Sequence, residues 1–196
     1  LEMMVREQEV KSKSLTGTLP AFSQAIQNIS HNLPMSNVIY YKGIEGSKQM
    51  AWRILRCKGL WRAFSYNFWE DVFGQKFAIS FDNEMSKKQV KCHNIYSDQY
   101  ISYRENWRAT HKEKPAGVWS YMRSKLVSEK ILKIDQNIDI YNDIVAYSYW
   151  SNNEVFGVEI QNERVAEFHK QNHDLVWNLA KPMKHLAWLK NRKSTI

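Results

Sequence analysis

The chain has 196 residues, 43% of them hydrophobic, which suits one well-buried domain with an added arm and excludes a disordered polyelectrolyte. A net charge of +8 and a pI near 9.4 favour a polyanion or an acidic surface as partner. The basic residues are nevertheless scattered, and only Lys181, Lys184, Lys190, Arg192 and Lys193 lie close together, which reads as a solvated tail.

Cys57 and Cys92 are the only cysteines, so neither a disulfide framework nor a four-cysteine zinc site is available, and a reducing cytoplasm fits. No charged-then-apolar leader and no run of eighteen apolar residues occurs, which predicts neither export nor a membrane span. Leu1 in place of Met reads as a fragment or a trimmed product.

Taken in order, 1–33 reads as a polar arm and a linker helix begun at Pro20, with Phe22, Ala25, Ile26 and Ile29 on one face. A domain over 34–180 follows, and 181–196 is the basic tail. Val38 to Tyr41 is a strand, Met50 to Leu55 the apolar face of a helix, and Leu60 to Tyr66 the next strand. That order predicts a parallel pair joined by a crossover. Trp69, Val72, Phe73, Phe77, Phe81 and Met85 predict a second helix running through Gly74. Val90 to Tyr96 is a third strand, Tyr100, Tyr103 and Trp107 mark a third helix, and Lys130 to Asp135 reads as a short strand.

The strongest continuous signal is Ile138 to Trp177. Ile138, Ile140, Val145, Tyr147, Tyr149, Val155, Val158 and Ile160 suit pleated strands, while Asn142-Asp143 and Asn152-Asn153 supply tight turns. An antiparallel meander results, with a bulge expected at Gly157. Asn162 then caps a long helix, and Val165, Phe168, Asn172, Leu175, Val176 and Leu179 predict the face it turns toward the sheet.

Three pieces in this order, Val38 to Gly46, Ile138 to Ala146, and Phe156 to Ile160 with Ala166, Phe168 and Trp177, resemble the C-terminal domain of TrmB-like transcriptional regulators. Leu19-Pro20-Ala21-Phe22 looks like that family's linker helix. The resemblance implies an α/β phospholipase-D-like mixed sheet flanked by helices, with a C-terminal antiparallel meander and a long closing helix. It also implies a ligand-sensing and dimerisation domain, with DNA read by a winged helix that no segment before Leu19 supplies. The expected partners are a sugar or small polar metabolite and a second copy of the chain, with no cofactor and no membrane.

Enzymes of the phospholipase-D fold use His-x-Lys, the histidine as nucleophile and the lysine as phosphate holder. Behind the six histidines, His31, His93, His111, His169, His173 and His185, the residues two places on are Leu33, Ile95, Glu113, Gln171, Leu175 and Ala187. None is lysine, so the chain is expected not to be an enzyme. His169 and His173 share a helix face, but no third metal ligand accompanies them and they read as structural or surface histidines. Because open α/β sheets bind ligands beyond the carboxyl ends of parallel strands, Tyr41, Tyr66, Asn67 and Tyr96 form the candidate ligand rim. The competing and weightier reading is that these tyrosines and Trp69 simply pack. The alternative functions are a phosphodiester hydrolase with unorthodox residues and a basic domain that binds nucleic acid directly.

Overall fold

The computed structural model describes residues 36–66, 69–97, 100–102, 121–151 and 154–183. Its elements are β1 (Asn37–Lys42), α1 (Gly43–Arg53) with a 3-10 turn at Ile54–Arg56, β2 (Leu60–Ser65), α2 (Trp69–Phe73), α3 (Gln75–Lys87), β3 (Lys91–Ser97) and β4 (Met122–Val127). They continue with β5 (Asn137–Tyr141), β6 (Ile144–Ser151), β7 (Glu154–Gln161), α4 (Glu163–Leu179) and β8 (Lys181–Pro182). The strands form one sheet in the order β1-β7-β6-β5-β2-β3-β4-β8. This is the mixed α/β sheet flanked by helices that the sequence predicts. The linker helix at Pro20, the Asn152-Asn153 turn, Asn67, most of the third helix and the tail beyond Met183 lie outside the described residues.

The meander β5-β6-β7 is antiparallel throughout, and Asn142 takes φ 49° at the first turn. β2, β3 and β4 are parallel. The expected pairing of the first two strands is corrected: β1 pairs antiparallel with β7, and β7, β6 and β5 stand between it and β2. The crossover through α1 therefore spans the meander, because Val38 to Tyr41 finds its partner in Gly157 to Ile160 from the far end of the chain.

Alternation along the strands divides the core into two layers. On one face Tyr41, Met50, Trp61, Ala63, Phe81, Met85, Cys92 and Tyr141 pack under α1, α2 and α3. Most of the aromatic richness is spent here, with Trp69 in ring contact with Trp61, Phe73, Phe77 and Phe81. On the other face Phe64, Ile95, Ile140 and Val145 pack against Ala166, Val165, Val176 and Trp177 of α4. One buried ion pair ties α1 to the sheet: Arg53 Nη2 lies 2.7 Å from Glu159 Oε1, whose side chain is fully buried. Breaking such a pair costs about 3–5 kcal/mol, far above the few tenths expected of the exposed Lys48–Glu45 and Lys87–Glu84 pairs.

Four local expectations are corrected. The helix predicted through Gly74 is two helices, since Gly74 takes φ 83° and ψ 154°, outside any helix. Lys130 to Asp135 is not a strand. Ile131 and Leu132 close a turn onto the Ser128 carbonyl, and both neighbours of β5 are already taken by β2 and β6. Gly157 is no bulge, because the register runs unbroken through Ser148↔Gly157; a Cβ there would instead stand 2.6 Å from the Met50 Sδ and Cε.

α4 is rotated relative to its predicted face. Phe168, Leu175 and Leu179 are 62–65% exposed, whereas Ala166, His169, His173 and Val176 point inward. The polar partners on the sheet decide the rotation. Arg62 on β2 binds Asp174 through Nε and Nη2 at 2.8 and 2.9 Å, and Tyr147 Oη meets His169 Nε2 at 3.0 Å. Asn162 caps the helix as predicted, its Oδ1 accepting from Val165 N at 3.0 Å.

Asn142 has a second task. Its Oδ1 accepts from Lys58 N at 2.8 Å and its Nδ2 donates to the Arg56 carbonyl at 3.0 Å. Asn142→Gly keeps the positive φ and removes both bonds, so urea unfolding is expected to show a loss of about 1–3 kcal/mol. An unchanged midpoint would mean that only the turn matters.

Candidate functional site

The ladder places one row of residues across six strands near the carboxyl ends of β2 and β3. It runs Tyr41 on β1, Gly157 on β7, Ser148 on β6, Asn137 on β5, then Ser65 on β2 and Tyr96 on β3. Asn137 reaches Ser65's end of β2 because its Oδ1 accepts from Tyr66 N at 3.0 Å, one step beyond the Phe64↔Ile138 pair. The centre of the row is small and polar, and its ends are tyrosines.

The predicted rim residues therefore share a level on the sheet without forming one pocket. With strands about 4.8 Å apart, Tyr41 and Tyr96 stand roughly 24 Å from one another. Tyr41 is buried beside Glu159, and burial followed by that carboxylate pushes its phenol up. Tyr96 accepts from Asn94 Nδ2 at 2.9 Å and stacks on Tyr100 at 3.8 Å. Tyr66 Oη donates to the Trp150 carbonyl at 2.7 Å and accepts from Trp150 N at 3.3 Å, with the two rings 5.6 Å apart. Of the three described rim residues, Tyr66 is the one that adjoins the polar centre of the row.

Ser65, Asn137 and Ser148 make up that centre. Asn137 is 2% exposed, and with Oδ1 occupied its Nδ2 has no partner. Ser148 beside it is also buried. A buried donor left unmade costs about 1–3 kcal/mol, and Asn137 shares this state with other buried polar atoms, among them Ser47 Oγ, Asn94 Oδ1 and His173 Nε2. Asp139 lies one pleat deeper on the same face of β5, its Oδ1 accepting from Trp61 Nε1 at 2.9 Å. Burial lifts its carboxyl to about 7, against the opposing pull of that hydrogen bond. The cleft where Asp139, Ser148 and Ser47 approach α1 is too tight for a water molecule. No local sequence signal marks Asn137 or Ser148, since only the strand pairing aligns them with Ser65.

The predicted histidine pair of α4 faces the other side of the sheet. His173 is fully buried, edge-on to Phe64 at 5.0 Å, with Nδ1 3.4 Å from Asp174 Oδ1. Burial pulls its imidazole down to about 4. Among the described residues no group of three or more His, Cys, Asp or Glu is arranged to hold a metal ion, and no helix is long and apolar enough to cross a membrane.

No family model matches the sequence, and a search of curated proteins returns no match. Solved structures do match. Nuc from Salmonella typhimurium, a phospholipase D family member, superposes with a TM-score of 0.52 at 14% identity, covering 77% of this chain and 100% of its own. NucT from Helicobacter pylori gives 0.51 at 11%, covering 76% and 100%. TrmBL2, described as an archaeal chromatin protein with a novel mode of DNA binding, gives 0.49 at 14%, covering 90% of this chain and 66% of its own.

The chain has a phospholipase-D-like fold. These identities establish the fold and nothing finer, so membership of the TrmB-like family is not shown. One expectation is overturned: a chain that shares its fold with a phospholipase D family member is not a non-enzyme on the strength of a missing His-x-Lys. The fold is compatible with a regulator and with an enzyme.

The two buried titrating groups oppose each other. Asp139, with its pKa raised from 3.8 to about 7, holds its proton only in the fold, so its contribution is full below pH 4 and is lost as pH rises to 7. His173, lowered from 6.5 to about 4, contributes fully above pH 6.5 and loses this as pH falls to 4. Asp139→Asn is expected to leave stability rising from pH 4 to 6.5, and His173→Gln to leave it falling from pH 4 to 7. Each slope amounts to a few kcal/mol in urea titrations across that range. Parallel profiles for the two variants would refute the assignment.

Proposed function

We propose that this chain recognises a phosphodiester at the rim formed by Ser65, Tyr66, Asn137 and Ser148. The observation that carries the reading is the unpartnered Asn137 Nδ2, a buried donor in a row of small polar side chains beyond the carboxyl end of β2. Phosphate oxygens accept hydrogen bonds strongly, and serine hydroxyls with an amide donor suit them. Likeness to a phospholipase D family member supports the ligand class.

A second reading is favoured by the absence, among the described residues, of any histidine on this face of the sheet. In it the rim serves a ligand-sensing and dimerisation module of a transcriptional regulator. The ligand is then a sugar or small polar metabolite held near Tyr66 and the neighbouring Asn67, and the module acts as a homodimer.

Thermal unfolding with bis(p-nitrophenyl) phosphate, read together with p-nitrophenolate release, separates the two. At a ligand concentration one hundred times Kd the stabilisation is about 2.7 kcal/mol, which corresponds to roughly 5–10 °C in Tm for a chain of this size. Asn137→Asp, which sets a carboxylate against the phosphate, is expected to abolish the shift. A shift with sugars and none with the diester would transfer support to the second reading.

A further inference from the structure

Parallel strands are normally covered on both faces and read as continuous apolar runs. β3 and β4 instead alternate, in Lys91-Cys92-His93-Asn94-Ile95 and Met122-Arg123-Ser124-Lys125-Leu126. The register aligns Arg62, His93 and Arg123 in one row across β2, β3 and β4, on the face that α4 packs against. Lys91 stands two residues before His93 on β3, Tyr121 precedes β4 with its carbonyl accepting from Cys92 N, and Ile95 pairs with Lys125 in the row after.

α4 covers only part of this face. Arg62 is neutralised by Asp174. The His93 ring stacks on Trp177 at 4.2 Å, and Lys125 Nζ donates to the Trp177 carbonyl at 2.8 Å. Lys91, Arg123 and Tyr121 stay exposed. Among the described residues none of Lys91, Arg123 and Lys125 has an acidic partner. Lys91 and Arg123 stand on a diagonal about 7–8 Å apart, and Arg123 and Lys125 are two residues apart on β4, so neighbouring like charges repel by on the order of 0.5 kcal/mol per pair in water, while Lys125 is held by the Trp177 carbonyl and lies 4.7 Å from the Trp177 ring centroid.

We infer that the open face of β3 and β4 is a docking strip for single-stranded nucleic acid. Lys91, Arg123 and Lys125 meet its phosphates, and Tyr121 supplies a stacking face. Cations tracking a backbone with an aromatic ring set between them are what sequence-tolerant recognition of single strands requires. An anionic lipid surface fits less well, because no exposed large aliphatic side chain lies on these two strands. The strip is on the opposite face of the sheet from the Asn137 row and does not depend on the phosphodiester reading of the rim.

The test is fluorescence anisotropy of a labelled mixed-sequence single-stranded oligonucleotide, titrated with the full chain over roughly 50–200 mM salt. Lys91→Gln with Arg123→Gln should reduce the slope of log K against log salt by about 1.4, since each lost phosphate contact removes about 0.7 for a single strand. Arg123→Lys should restore its share. Tyr121→Ala should weaken binding roughly tenfold and leave the slope unchanged. All variants keep the basic C-terminal segment, so the differences report the strip alone, and these exposed positions leave the fold intact by circular dichroism. No binding by the parent chain, or a parental slope in the double glutamine variant, overturns the inference. So does loss of binding to phosphatidylserine vesicles with oligonucleotide binding unaltered.

Discussion

The seam between β2 and β5 is the constraint on which the rest of this molecule depends. It joins the parallel strands β2, β3 and β4 to the antiparallel strands β5, β6, β7 and β1, through only three register pairs: Arg62↔Ile140, Ala63↔Asp139 and Phe64↔Ile138. Side chains reinforce it at both ends. Asn142 binds the backbone at Arg56 and Lys58, Asn137 accepts from Tyr66, and Trp61 donates to Asp139 in the middle. Without that seam the sheet is two pieces with exposed edges, a recognised hazard for strand proteins.

The seam also explains where polar chemistry can sit. A carboxamide and a carboxyl that tie β5 to β2, Asn137 and Asp139, are forced into the core, and Asn137 has more donors than the fold uses. Asp139 remains buried because Trp61 satisfies one oxygen, while desolvation keeps its proton in place near neutral pH. On the far side of the sheet Arg62 needs a partner under a helix, and Asp174 supplies it. That bidentate contact and the Tyr147–His169 hydrogen bond accompany a rotation of α4 that buries His173, turns the part-buried His169 inward and leaves Phe168, Leu175 and Leu179 outside.

The two candidate surfaces differ in kind. The rim has buried, neutral donors in a tight setting, suited to a few specific hydrogen bonds. The β3–β4 strip has exposed cations and a ring, suited to long-range attraction with little geometric demand. A fold shared with a phospholipase D family member accommodates both, and it does so without the His-x-Lys pattern.

Much of the secondary structure was legible in the residues, because turn and cap chemistry acts over a few positions. Asn142 at the hairpin, Asn162 before α4, and the alternation from Ile138 to Ile160 each specify local backbone geometry. The aromatic positions Trp69, Phe77 and Phe81 marked a core face correctly, although Gly74 divided their helix. Local pattern did not determine which strands pair. β1 joins β7 across more than a hundred residues, since closing a long loop adds little entropic cost and the meander's edge offers a matching partner. Nor could periodicity choose between two apolar faces of α4, because the choice lay with Arg62 and Tyr147 on distant strands. The row of Ser65, Asn137 and Ser148 and the row of Arg62, His93 and Arg123 exist only once the register is set. Sequence settled what each segment is, and tertiary structure settled what each side chain meets.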